Sequence, residues 1–455
     1  MIEAREFEGY WWRPEDEAKK LCGRLLVTRG EAELRLLGNF GYELISESAT
    51  QKVVNPVRLD EPRRLVGESA AREKITLEGQ SIGGPGDVSA YSFPWTLVGK
   101  AFGADEVIAF DEIIVRLSDL DTWAGSSGFT IPQFDLDASS GGFWHMYDIR
   151  FSRPESIEIS LDGGERASIE FGASHSGWTK VPTSVTVTQD TAFRLRFAEP
   201  HTLHEVARRV GQLRHFLCLA VGRPVSVLSV TGYQDDHRDH RDERSGDPLP
   251  IELFWGIPHN QDPPTEKRHP PMMPFTLERA PNGIDAVMKT WFAMRDRYGP
   301  VFNLYFGVRY HPDLFLDLRF LAYAQAIETF HRRQGSRGCT LEQRIRSILD
   351  ECATISERVV KGSGQTREDF ATTFRDTRDY YTHYNPRRGS KAVRGVALLV
   401  LTLQLQTLIE ALFFRELGFS CEEIDAIFTV PTPRYREIEN AQAQASDEDA
   451  TVPLE

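Results

Sequence analysis

The sequence predicts an α+β multidomain protein, with a β-rich, sandwich-like N-terminal region followed by an all-α helical bundle. Three observations carry this reading. Short runs in the first half alternate polar and apolar residues, the habit of antiparallel sheets with one buried face. From Ile284 the apolar spacing switches to the helical period. Between them, residues 235–275 are charged (DDHRDHRDERSGD) and then Pro-rich, with Pro263-Pro264 and Pro270-Pro271, and read as loop and linker. The boundaries expected are 1–260 for the β-rich region, 261–280 for the linker, 281–430 for the bundle and 431–455 for an acidic disordered tail. A further division of the first region near 150–200 is left open, and 455 residues suit about three domains.

In order along the chain, Leu21–Thr28 and Ala32–Leu37 are apolar-rich runs split by Arg29-Gly30-Glu31, a hairpin-like break. Glu106–Leu117 is another strand. Ser156–Leu161 and Ala167–Phe171 alternate around Asp162-Gly163-Gly164, which can supply positive φ in a tight turn. Val185–Thr188 and Phe193–Phe197 repeat the pattern around Gln189-Asp190-Thr191. Leu203–Leu219 sets Val206, Val210, Leu213 and Leu217 at helical spacing, and strand Val225–Val230 follows.

Five helices are expected in the second part. Ile284–Tyr298 is stopped by Gly299-Pro300; Pro312–Arg333 carries a stripe from Leu316 to Phe330; Leu341–Val360 is the third. Thr366 with Asp369 resembles a capping box and opens the fourth. Ser390–Leu417 is the fifth and contains VALLVLTLQLQTLIEALFF. Gln404, Gln406 and Glu410 interrupt that run, so it reads as a central bundle helix or subunit interface rather than a membrane span.

Composition narrows the function. Hydrophobic residues are 40% and charged residues 26%, the profile of a folded soluble chain. Five scattered cysteines and no CxxC pair exclude a disulfide framework and make a thiolate zinc site improbable. They read as reduced thiols of a cytoplasmic protein, and the acidic start MIEAREFEGYWWRPEDE has no apolar segment of a signal peptide. Net charge is −14, spread unevenly: residues 1–270 hold 30 Lys+Arg against 42 Asp+Glu, while 271–430 hold 21 against 19. No domain is strongly basic, so any nucleic-acid contact is confined to a local patch.

Gly362 and Gly364 in KGSGQT lack the lysine and spacing of a phosphate loop, and His204-Glu205 is followed by Arg208 where a zinc protease needs histidine. The run Asp235-Asp236-His237-Arg238-Asp239-His240 mixes hard and imidazole ligands, but its arginines and acids read as a solvated loop, and no metal or cofactor is expected.

The informative segment is Arg375–Ser390, RDTRDYYTHYNPRRGS. Metal-free RNA cleavage needs a base near neutrality for the 2′-hydroxyl proton and a fixed cation for charge developing on phosphorus. Histidine suits the first task and arginine's planar fork the second. Arg378 and His383 offer that pair with Asp379 between. On a continuous helix a separation of five puts two side chains about 140° apart, so they converge only if the helix ends between them. Asn385-Pro386 makes such an ending expected. Alone, an arginine and a histidine five apart are a weak signal, equally read as an exposed helix end.

An all-α bundle with the arginine late in a long helix, RDYYTHYNP at the break and an apolar helix after it resembles the HEPN superfamily. The stretch around Arg378 is most similar to the HEPN domains of ApeA-like anti-phage proteins, in which a β-rich domain precedes the bundle, and Gln325–Arg333 (QAIETFHRR) looks like their early helix. The resemblance implies a metal-independent endoribonuclease of abortive infection whose site forms between two HEPN bundles. It implies Arg378 and His383 as the catalytic pair and Asp379 as the orienting residue. RNA, whether tRNA or mRNA, is the implied substrate, a homo-oligomer through the helices the implied assembly, and a phage-derived trigger at the N-terminal domain the implied activator. No membrane partner is expected. Arg387 and Arg388, just past Pro386, are placed to hold flanking phosphates, or are surface charge. The competing reading is a non-catalytic sensor whose β-rich domain recognises a ligand and whose bundle only oligomerises.

Overall fold

The structure is a computed structural model. It describes residues 4–28, 32–38, 40, 42–47, 52–56, 64–79, 82–84, 88–130, 150–176, 185–239, 246–257, 260, 262–335, 338–351, 356–357, 359–360, 366–384 and 386–429. The chain opens with β1 (Arg5–Arg13), β2 (Asp16–Val27) and β3 (Ala32–Leu37), a meander in which Val27 stands opposite Ala32 as the sequence predicts. Residues 29–31 lie outside the described ones. A separate ladder joins β4 (Tyr42–Glu47) to β5 (Lys52–Pro56). Then come β6 (Leu65–Ser69), β7 (Lys74–Glu78), β8 (Ile82–Gly84), β9 (Val88–Phe93), β10 (Trp95–Val98) and β11 (Ala109–Leu117). After α1 (Leu120–Ala124) and the short pair β12 (Phe129–Thr130) and β13 (Arg150–Phe151) follow β14 (Ile157–Ser160), β15 (Arg166–His175) and β16 (Val187–Thr202). Helix α2 (Leu203–Val221) leads to β17 (Val227–Tyr233) and β18 (Ile251–Trp255).

Among the described residues, fourteen strands join one sheet in the order β14-β15-β16-β11-β17-β18-β10-β7-β6-β1-β2-β3-β9-β8. Every pairing named is antiparallel, some through hairpins such as β14–β15 and others, such as β10–β18, between strands far apart in sequence. The half built on β1–β9 has its own core around Trp11, Leu25, Leu34, Leu36, Ile75 and Leu77. Gly67 is needed there: a Cβ on it would stand 2.3 Å from the Trp11 indole. The other half buries Ile113, Val115, Ile169, Phe193 and Leu195 with the predicted α2 stripe of Val206, Val210, Leu213 and Leu217. Gly163 and Gly164 adopt positive φ (73° and 82°) in the β14–β15 turn, as their positions in the sequence predict.

Of two expected breaks, one is absent and the other is a kink. No turn forms at Gln189-Asp190-Thr191, because β16 runs unbroken with Gln189 opposite Ala173 and Asp190 opposite Gly172. The Gln189 carboxamide accepts from the Gly128 N–H and donates to the Ser126 carbonyl, each at 2.8 Å, so the polar residue is satisfied beside the sheet without a turn. At Gly299-Pro300 the expected break is present, as a kink rather than a gap between helices. Helix α3 runs from Ile284 to Arg309 with an irregularity at Tyr298 (φ −116°, ψ 20°). Pro300 then lies in the first turn of a second helical stretch, where its missing N–H is tolerated, and buried Val301, Phe302, Tyr305 and Phe306 hold that stretch in place.

The bundle continues with α4 (Leu316–Arg333), α5 (Leu341–Glu351), α6 (Arg367–His383), α7 (Gly395–Glu416) and α8 (Cys421–Thr429). It shares one continuous core with the α2 half of the sheet. The Trp291 indole N–H donates to the Gln212 carbonyl at 3.0 Å, His215 stacks on Phe306 at 4.1 Å, and Met273 and Phe275, from the Pro-rich segment, are buried between α2 and α7. Helix α7 is buried from Leu398 to Phe414 within its own chain, apart from the short stretches its neighbours leave. The Glu410 carboxylate accepts from the Tyr305 hydroxyl and from Gln406, and Gln404 donates to the Val359 carbonyl at 2.6 Å. Those polar residues are therefore internal hydrogen-bonding groups. Of the two readings of the apolar run, a central bundle helix or a subunit interface, the first accounts for its burial, because the chain covers it itself. The tail 431–455 lies outside the described residues.

Candidate active site at the end of helix α6

Helix α6 starts at the Thr366–Asp369 capping box predicted from sequence. The Asp369 N–H donates to the Thr366 hydroxyl at 3.1 Å, while the Thr366 N–H donates to Asp369 at 3.2 Å. Hydrogen bonds from the Thr366 hydroxyl and then its backbone N–H hold the Asp369 carboxyl below its ordinary range. Phe370, Ala371, Phe374 and Thr377 form the buried face. That face fixes the helix's rotation and leaves Arg378 at its edge.

Arg378 turns to α4. Its Nη2 donates to Glu328 Oε2 at 3.2 Å and its Nη1 to Asp379 Oδ1 at 3.3 Å, and Glu328 also pairs with Arg332 at 2.6 Å. One turn earlier, Arg375 bonds Glu342 on α5 and its neighbour Asp376. The motif face is thus a row of ion pairs that ties α6 to α4 and α5.

The helix does not end between Arg378 and His383. It runs unbroken through His383 and stops at Tyr384, which takes a left-handed conformation (φ 47°, ψ 37°). Within one chain the two side chains therefore lie on different faces, about 140° apart. His383 is exposed in the last turn. Asn385 lies outside the described residues. Pro386–Arg388 form a short 3-10 turn with Arg387 exposed.

Aromatic residues surround the helix end. Tyr380, Tyr381 and Tyr384 contact one another with ring centroids 5.1–6.2 Å apart. Arg394 lies over the Tyr380 ring at 5.1 Å and donates to its hydroxyl at 3.1 Å. The Tyr384 hydroxyl donates to Asp317 at 3.2 Å, which sets it beside the start of α4. Tyr384 (58% exposed), which directly follows His383, is thereby held beside the start of α4, where Phe315 (76%) and Leu318 (46%) are also exposed. Sequence reasoning missed Glu328, Asp317 and Arg394. Glu328 sits in the QAIETFHRR segment already singled out, but its partner lies fifty positions on and only the fold brings them together.

The acidic and histidine-rich loop is a different matter. Asp235 is engaged by Arg196 and Arg238, His240 lies outside the described residues, and among those described no three His, Cys, Asp or Glu side chains gather as a metal site would require.

A large antiparallel sheet shares its core with a helical bundle that carries an arginine and a histidine near one helix end, so the class is sheet-plus-helical-bundle. Two family profiles match: ApeA N-terminal domain 1 over residues 6–291, and Apea-like HEPN over residues 321–423. The chain belongs to the ApeA-like proteins with a C-terminal HEPN domain, and that membership supports a part in anti-phage defence. The first profile closes at Trp291 inside α3, where that residue is bonded to α2. No curated protein and no solved structure matches the chain.

Proposed function

We propose that this chain is a metal-independent endoribonuclease of abortive anti-phage defence, acting in the cytoplasm on tRNA or mRNA. The observation that supports it most is the end of α6. There Glu328 holds Arg378 while His383 stands exposed about 1.4 turns later, directly before exposed Tyr384. Since one chain presents the pair on different faces, a second copy docked on Phe315, Leu318 and Tyr384 would bring two helix ends together and complete the site. His383 takes the 2′-hydroxyl proton, the 2′-oxygen attacks phosphorus and the 5′-oxygen leaves, giving a 2′,3′-cyclic phosphate. Arg378 stabilises the charge that accumulates on the phosphate, and Asp379 orients it. Arg387 and Arg388 hold flanking phosphates, and the N-terminal region receives the phage-derived trigger.

The test is RNA cleavage by the purified full chain in EDTA, with the product ends mapped. The expected result is cleavage in chelator with 2′,3′-cyclic or 3′-phosphate ends and no cutting of DNA, which lacks the nucleophile. A 3′-hydroxyl end, or a requirement for magnesium, overturns the reading.

A further inference from the structure

A cavity of about 250 Å³ lies where the β14–β15 turn, α2 and α3 meet, and none of the α6 site residues line it. Its charges are only partly used. Arg209 is committed: its Nη2 reaches both carboxylate oxygens of Glu165 (2.5 and 2.6 Å), its Nη1 reaches Gln212 at 3.3 Å, and its guanidinium lies over Phe292 at 5.1 Å. Its Nε is buried without a hydrogen-bond partner. Arg208 and Lys289 also line the cavity, and neither makes an ion pair among the described residues. Arg295, on α3 close to Arg208, has a buried Nη1 without a partner, and burial followed by the Arg208 charge pulls its basicity down. Three cations, Arg208, Arg209 and Lys289, thus line the cavity with Arg295 close behind. Among the described residues Glu165 makes the ion pair to Arg209, while Glu205 and Asp296 act on Arg208 and Arg295 without one.

Opposite charge is also present, and Asp296 partly offsets the Arg295 charge. Asp162 and Asp296 line the same cavity and have no ion pair among the described residues. Such an arrangement offers separate places for an anion and for hydroxyl or amino donors. Planar guanidinium and ammonium groups bind phosphate oxygens strongly, and carboxylates accept from sugar hydroxyls. The volume is slightly below the range of drug-sized pockets, which suits a single nucleotide and excludes an oligonucleotide. We infer that this cavity is a binding site for a mononucleotide, with its phosphate on Arg208 and Lys289 and its hydroxyl or amino groups on Asp162 and Asp296.

The inference is independent of the nuclease reading, since binding is measured directly. Isothermal titration of the full chain with each of the four ribonucleoside 5′-monophosphates, with the parent nucleosides and with inorganic phosphate is the experiment. At least one monophosphate should bind at a single site, more tightly than its nucleoside and than inorganic phosphate by about tenfold or more. Arg208→Ala with Lys289→Ala should lower that affinity by about a hundredfold. Neither side chain supports the fold through an ion pair, so the melting temperature of the ligand-free double variant should match the wild type. Asp296→Asn should weaken the nucleotide and spare inorganic phosphate. Absence of binding by any monophosphate at millimolar concentration, or affinity unchanged in the double variant, overturns the site. Inorganic phosphate binding as tightly as every nucleotide overturns the nucleotide assignment.

Discussion

Helices α6 and α7 belong to one bundle and are built on opposite principles. Helix α7 is buried around most of its circumference and turns its polar residues inward onto partners, so Glu410 and Gln404 are core groups. Helix α6 buries one face through Phe370 and Phe374 and keeps the other for ion pairs, ending in an exposed histidine. On the proposed function, stability and chemistry would fall to different helices. A substitution in α7 should destabilise the domain, whereas one at the end of α6 should silence it and leave its stability unchanged.

The largest expected effect lies on the chemical side. Arg378→Ala and His383→Ala should each lower RNA cleavage by about a thousandfold or more, within the range for losing an essential acid–base or charge-stabilising group, with melting temperatures close to wild type. Because one unbroken helix presents the two residues on different faces, mixing the two inactive variants should recover part of the activity, as half of the mixed sites would regain an intact pair. Wild-type rates in both folded variants would erase the contrast between the helices.

The structural side is probed by Leu412→Ala, at a fully buried position of α7. The lost transfer energy and the residual cavity should cost about 2–5 kcal/mol. Urea titration measures it, and a loss below about 1 kcal/mol would mean α7 is not the centre of the core.

Much of this contrast was legible before any coordinates. The helical period of α6 and α7, the Thr366 cap and the polar interruptions of α7 all follow from local chemistry, and so do the glycines of the β14–β15 turn. What was hidden depends on partners distant in sequence. Gln189 resembles a turn residue until Gly128 and Ser126 are placed beside it, and the break before Pro300 is a kink because buried Phe302 and Phe306 carry a second helical stretch onward. The end of α6 was placed too early, because the proline at 386 marks only a boundary and the helix used every residue up to Tyr384. Glu328 could be seen as a residue but not as the partner of Arg378.

Glu328→Gln sharpens the comparison at the junction of the two roles. It keeps the shape of the side chain and removes the charge that holds Arg378 and Arg332. The pair is only partly buried, so the cost in folding should be about 1 kcal/mol or less. Cleavage should fall about tenfold through a less well-placed Arg378, within the loss expected when a catalytic group is misplaced. An unchanged rate would show that Asp379 alone is sufficient to position the guanidinium.

The smallest expected effect is on stability near neutrality, and it falls on the seam between sheet and bundle. His215 on α2 stacks flat on Phe306 of α3 at 4.1 Å. Burial, and then the charges of Arg295 and Arg214, depress its imidazole from 6.5 to about 3. His331 on α4 moves in the same direction through burial and Arg344, whose Nη1 lies 3.2 Å from the ring Nδ1. Unfolded, His215 takes up a proton near pH 6.5; folded, it stays neutral until about pH 3. Between those values the unfolded chain binds more protons, so stability is complete above pH 6.5 and declines as pH falls toward 3. One such group gives a slope of at most about 1.4 kcal/mol per pH unit, and from pH 7 to 6 the loss should be under about 1 kcal/mol. His215→Leu removes the titration while keeping an apolar contact to Phe306. Urea midpoints of wild type and variant should therefore converge as pH is lowered from 7 to 5, by an amount that reflects this single proton. Parallel curves over that range would mean that the ring titrates alike in the folded and unfolded chain and that the seam is not where acid loosens the protein.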